Sequence, residues 1–256
     1  MAFLSQFRWT SASSSHVGLV RTLNEDSCLD RPESGLWAVA DGMGGHTLGD
    51  FASHLVVDNL GNIEIASRIA NVVSKVRQRL QAVNQQLREE AVVRDAGIIG
   101  STVVVLIAGE YSCGYLWAGD SRLYLFRHGS LQQLTRDHTQ LEECRLRGDL
   151  PPPDSADYPS RNIITRAVGA MDELDLDEKI MTIDDGDIFL LCSDGLSNEV
   201  TESEIRDALL TGNCRQAVET LIEIALKSGG RDNISAVVVR ADDLDSTDRT
   251  LLNPAL

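Results

Sequence analysis

The sequence lacks a membrane span. Its most apolar run, Ile98 to Ala108, is broken by Gly100, Ser101 and Thr102, whereas a spanning helix needs about 20 apolar residues in succession. Its opening, MAFLSQFRWTSASSS, has no cationic start followed by an apolar stretch and is not expected to act as a secretory leader. Cysteines are few and scattered: Cys28, Cys113, Cys144, Cys192 and Cys214 are odd in number and form no CxxC. That excludes a disulfide scaffold or a zinc site and fits a reducing, cytoplasmic compartment. Positive charge is in deficit, with 23 Lys and Arg against 39 Asp and Glu and a net charge of −16. Nucleic acid and anionic lipid recruit basic surfaces, so both are excluded as partners. There is also no fixed-period repeat, no low-complexity run and no linker long enough to separate a pair of domains.

What remains is an ordinary globular composition, 256 residues at 43% hydrophobic and 24% charged, long enough to bury a core unaided. One domain is expected over residues 16–240, with a loosely held lead-in over 1–15 and a frayed tail over 241–256. From Ile65 onward, Ile69, Val72, Val76, Leu80, Val83 and Leu87 recur at spacings of three and four, which predicts a long amphipathic helix. Thr201 with Glu204 forms a capping box that starts a second helix, and a third runs from Arg215 to Lys227 before Gly229 and Gly230. Short β-branched or aromatic runs predict strands at Leu36–Ala40, Ser101–Ala108, Tyr111–Ala118, Arg122–Arg127, Ile188–Cys192 and Ile234–Arg240. His128–Gly129 and Gly109–Glu110 read as hairpin turns. The Pro-rich segment 142–161 reads as an irregular surface flap, and Asp184 to Asp187 as a solvated turn.

Four strand ends carry an aspartate. Ala38-Val39-Ala40 runs into Asp41-Gly42, Leu116-Trp117-Ala118-Gly119 into Asp120, and Leu190-Leu191-Cys192-Ser193 into Asp194-Gly195, while Asp232 precedes the strand from Ile234. Any one Asp-Gly is more often a plain turn, but four such strands hold carboxylates on a rigid scaffold. Gathered together, such acids imply a hard divalent cation. Cys192 lies inside an apolar strand and reads as core.

In order, the chain contains Val20-Arg21-Thr22-Leu23-Asn24-Glu25-Asp26-Ser27, Asp41-Gly42-Met43-Gly44-Gly45-His46, Gly100-Ser101-Thr102, Gly119-Asp120-Ser121-Arg122, Arg136-Asp137-His138-Thr139, Arg161-Asn162 to Gly169, Ser193-Asp194-Gly195 and Gly230-Arg231-Asp232-Asn233. These blocks span nearly the whole chain, and in them it resembles the bacterial metal-dependent serine/threonine protein phosphatases of the type 2C class. The resemblance implies an α+β fold, a four-layer α-β-β-α sandwich of two packed antiparallel sheets flanked by helices, with a metal cleft at one end. It implies that Asp41 bridges two Mn2+ or Mg2+ ions, with the Gly42 carbonyl also binding. Asp194 and Asp232 would hold the first ion, Glu25 would support the second, and Asp120 beside Asp194 would hold a third, weaker one. Arg21 matches the family's phosphate-gripping arginine. Where many eukaryotic members carry a histidine after the Asp-Gly pair, this chain has Met43; His46 is then a candidate proton donor, with water on the metals preferred. His138 matches a motif read as structural.

The implied activity is hydrolysis of phosphoserine and phosphothreonine in proteins by a metal-activated bridging water, opposing a eukaryotic-like bacterial kinase. A cytoplasmic monomer is expected, acting on phosphorylated proteins, with the flap contacting the segment around the phosphoresidue. The rival readings are a non-catalytic phosphoprotein-binding pseudophosphatase, which would have lost a ligand or the arginine, and a small-phosphoester metallohydrolase.

Overall fold

The computed structural model describes residues 5–44, 48–63, 68–152, 154–155, 158–160, 163–210 and 213–247. Its strands are β1 (Phe7–His16), β2 (Asp26–Arg31), β3 (Leu36–Met43), β4 (Gly100–Ser101), β5 (Val103–Ala108), β6 (Ser112–Ala118), β7 (Arg122–Arg127), β8 (Ser130–Gln133), β9 (Asp177–Thr182), β10 (Asp187–Cys192) and β11 (Ile234–Asp243). Its helices are α1 (Leu48–Gly61), α2 (Ile69–Val93), α3 (Gln140–Arg147), α4 (Asp194–Ser197), α5 (Glu202–Leu210), α6 (Cys214–Lys227) and α7 (Leu244–Thr247).

Strand β5 shows why the layers form. Its six residues are all buried: Val103, Val105 and Ile107 meet the apolar stripes of α1 and α2, while Val104, Leu106 and Ala108 meet the other sheet. A strand covered on both faces has no reason to alternate with polar residues, so its sequence is an unbroken apolar run. β10 and β11 repeat the pattern: Ile188, Leu190, Ala236 and Val238 lie under α5 and α6, and Phe189, Leu191, Val237 and Val239 lie between the sheets. Each of the larger of these side chains contributes about 1.5–3 kcal/mol by leaving water. The outcome is four layers, helices over the sheet β2-β3-β5-β6-β9, then the sheet β1-β11-β10-β7-β8, then the second helix pair, with antiparallel pairing throughout.

The pairing register brings the strand tips together. Asp26 lies opposite Asp41 across β2 and β3. Val39 opposite Val104, and Val103 opposite Ala118, bring Asp120 to the same end. In the second sheet Cys192 faces both Arg122 and Ala236, so Asp194 and Asp232 emerge beside Asp120.

The expected long helix starts at Ile69, and the capping box forms as read, Glu204 N–H donating to Thr201 Oγ1 at 3.3 Å and Thr201 N–H to Glu204 Oε2 at 2.9 Å. Several expectations are corrected. Most of the lead-in over 1–15 is strand β1, paired along its full length with β11, and the tail begins as the end of β11 and α7. The flap opens with helix α3, capped by Thr139 accepting from Glu142 N–H at 3.3 Å. Asp187 is no solvated turn residue: it is 1% exposed, and Arg127 donates to both its oxygens at 2.7 and 2.6 Å. No helix among the described residues is long and apolar enough to cross a membrane.

Candidate active site

Asp41, Glu25 and Asp194 are held by hydrogen bonds at their own backbone. Asp41 ends the buried stretch of β3; its N–H donates to Thr102 Oγ1 at 3.0 Å, and its carbonyl accepts from Thr102 N–H at 2.8 Å. Thr102 Oγ1 in turn lies 2.7 Å from Ser121 Oγ, so the Gly-Ser-Thr block braces Asp41 and the turn carrying Asp120 together. Gly42 donates to the Glu25 carbonyl at 3.0 Å. A Cβ at Gly42 would collide with the backbone of Gly49, so only glycine lets α1 bring its N-terminus this close to the acids. Asn233 acts as a clasp: its Nδ2 donates to the carbonyls of Val17 and Leu23 at 2.9 Å each, and its Oδ1 accepts from Glu25 N–H at 2.8 Å. That clasp fixes the loop bearing Arg21 and Glu25.

Burial and mutual repulsion push the carboxyls toward their neutral forms. Asp41 rises well above the usual carboxylate range, chiefly through desolvation and then the charges of Asp26, Asp194, Asp120 and Asp232. Desolvation, with the Asp194 charge second, pushes Asp120 up to about 7. Asp194 is raised by burial and by Asp232. Arg21 is the compensating cation, its Nη2 2.8 Å from Asp232 Oδ2, and that bond raises the guanidinium above its ordinary value. Thus Arg21, Glu25, Asp41, Asp120, Asp194 and Asp232 meet at one end of the sandwich. His46 lies outside the described residues.

Asp26 is the site residue that sequence reasoning passed over. It is 4% exposed, opposite Asp41, and receives Ser193 Oγ–H on Oδ2 at 2.8 Å. Desolvation raises it to about 7. The signal was its position in the Asn24-Glu25-Asp26-Ser27 block, where strand β2 begins rather than ends.

Among the described residues, three buried carboxylate oxygens have no hydrogen-bond partner: Glu25 Oε1, Asp26 Oδ1 and Asp120 Oδ1. Orphaned buried carboxylate oxygens at one end of the sandwich suit a cation site, and an all-oxygen donor set suits a hard divalent ion. Among the described residues no three acidic, cysteine or histidine side chains converge on one point. A cavity of about 250 Å³ adjoins Asp120 and Asp194 and is walled by Arg122 and Asp137 on one side and by Glu142 and Arg145 of the flap helix on the other. The flap therefore borders the acid cleft. Cys192, Cys28 and Cys113 do not compete as nucleophiles, because burial pushes their thiols up to about 12.

The sequence profile described as protein phosphatase 2C matches residues 14–237. The chain is 35% identical over 239 residues to the protein phosphatase PhpP of Streptococcus pneumoniae, covering 90% of this chain and 96% of PhpP. It is 34% identical over 238 residues to the serine/threonine protein phosphatase PstP of Mycobacterium tuberculosis, covering 91% of this chain but 45%, about half, of that relative's length. The solved catalytic domain of PstP, in complex with two manganese ions, superimposes with a TM-score of 0.79 at 33% identity over 93% of this chain and all of that one. PppA, described as a key regulatory component of T6SS in Pseudomonas aeruginosa, superimposes with a TM-score of 0.85 at 44% identity, covering 94% of this chain and 100% of that one.

Proposed function

The chain belongs to the protein phosphatase 2C family, and from that premise we propose that its acid cleft hydrolyses phosphoserine and phosphothreonine in proteins. The observation that carries this reading is that five aspartates and Glu25 lie at the same end of the sandwich, with three of their oxygens buried and unpartnered. Asp41 with the Gly42 carbonyl, Asp194, Asp232 and Glu25 would hold two divalent ions, Mn2+ or Mg2+, and Asp120 beside Asp194 a third. When bound, the ions supply a water able to attack phosphorus at neutral pH and positive charge against the phosphoryl oxygens.

The chain's own residues do the rest. Arg21 exchanges its bond to Asp232 for phosphate oxygens, to which a guanidinium can donate two parallel hydrogen bonds. Thr102, braced by Ser121, fixes the backbone of Asp41 on both its N–H and its carbonyl, which limits reorganisation at the site. Asp26 offers an unpartnered Oδ1 beside Asp41 that can accept a proton. The flap helix α3 closes the other wall, where the protein segment around the phosphoresidue would lie.

The partners in this reading are phosphorylated proteins, a cognate bacterial Ser/Thr kinase whose action is reversed, and no second copy of the chain. The likeness at 44% identity to PppA, described as a key regulatory component of T6SS, supports a regulatory role. Purified protein should release phosphate from a phosphothreonine peptide in the presence of Mn2+ and stop on chelation. Undiminished activity in chelator would sink the metal chemistry, and tight binding of phosphopeptide without turnover would favour a non-catalytic binder.

A further inference from the structure

Leu19 and Val20, immediately before Arg21, are 66% and 65% exposed. Single exposed aliphatic residues are common and require no explanation. This pair differs because its backbone is rigidly anchored to the acid cleft. Leu19 N–H donates to the Gly230 carbonyl at 2.7 Å. Gly18 adopts φ +83°, and a Cβ there would strike the Asp232 carbonyl, so the chain lies directly on the loop of that acid. Asn233 ties down the loop on both sides, at Val17 and at Leu23. Leu19 also lies across Gly230, where a Cβ would come within 3.0 Å of its Cγ. Two aliphatic side chains are thus held out to water on a fixed ledge, next to the guanidinium that would grip the phosphate.

Resting on the phosphatase reading above, we propose that Leu19 and Val20 form an apolar subsite that selects phosphoprotein segments with an aliphatic residue within two positions of the phosphoresidue. Once Arg21 and the acid cluster fix the phosphoryl group, the substrate's neighbouring residues follow at about 3.3–3.6 Å per residue of extended chain. A segment leaving the cleft past Arg21 therefore crosses a ledge one and two residues away on this chain. The chemistry there favours an apolar side chain: it removes two exposed aliphatic surfaces from water, while an acidic one would sit at the rim of a chain with a net charge of −16.

The test uses phosphothreonine peptides differing only in carrying Leu, Ser or Glu at the positions one and two residues from the phosphoresidue. With Mn2+, wild-type protein should favour the Leu peptides over the Ser peptides by on the order of tenfold in kcat/KM, the difference residing in KM. In the Leu19→Ser, Val20→Ser double variant the ratio should collapse to about one, whereas Leu19→Ile with Val20→Ile should retain it. A wild type indifferent to the flanking residue, or a serine double variant that keeps the preference, would overturn the subsite. A wild type that hydrolyses none of the peptides would instead refute the phosphatase reading, and the subsite with it.

Discussion

An aspartate stands at each end of strand β10, and the two have opposite fates. At its start Asp187, 1% exposed, receives Arg127 on both oxygens and the Asp184 N–H at 2.9 Å on Oδ2. Just past its end Asp194 sits among Asp41, Asp120 and Asp232, with the Asn198 amide at 3.2 Å on one oxygen. The same scaffold supports both; the difference is whether a cation has been supplied by the chain. Where it has, the acid is a structural tie. Where it has not, the site is left short of positive charge, and that shortfall is the binding energy available to a divalent ion.

The largest effect should come from Asp41→Asn. Removing the Asp41 charge should lower turnover of a phosphothreonine peptide at least about 1,000-fold. The metal-free protein should melt no lower than wild type, because one repelling carboxylate is gone. Near wild-type activity in this variant would break the comparison. Asp187→Ala is the mirror experiment: it leaves Arg127 with only Asp184 and the Thr182 carbonyl as partners, and should destabilise the fold by about 2 kcal/mol in denaturant titration. It should leave metal affinity of the folded fraction intact.

pH sharpens the contrast further. Asp26 and Asp120 are raised to about 7 in the fold, while in the unfolded chain aspartates titrate near roughly 4. Between those values the native state holds protons that the unfolded state has released, so stability of the metal-free protein falls as pH rises. Below roughly pH 4 both states are protonated and the penalty is absent; above about 7 it is complete. Thermal melts of metal-free protein should therefore drop from pH 5 to pH 8, and excess Mn2+ should reverse the drop. The smallest effect belongs to Asn233→Ala, which frees the Arg21 loop; a loss of about 1–2 kcal/mol in stability and about tenfold in kcat/KM is expected.

The same contrast explains what could be read from the chain. Strands covered on both faces announce themselves as apolar runs, so β5, β10 and β11 were plain. β1 was not, because Phe7, Trp9 and Ala12 are buried while its serines find partners elsewhere, Ser11 on Asp30 at 2.5 Å and Ser15 on Ser235 at 2.8 Å. α1 was hidden because it buries the small residues Gly49, Ala52 and Ser53 against β3, leaving a weak stripe. The acids at strand exits were legible through their turns. Asp26 had no turn to mark it, and the fate of Asp187 depends on an arginine 60 residues away.

The central claim is that the acid end of the sandwich, and not its other buried acids, is a divalent cation site. Its most direct test is Mn2+ titration of the metal-free protein at pH 8, followed by melting temperature, for wild type, Asp41→Asn and Asp187→Asn. Mn2+ should raise the melting temperature of wild type and of Asp187→Asn alike, and leave Asp41→Asn nearly unmoved. An equal rise in Asp41→Asn would contradict it.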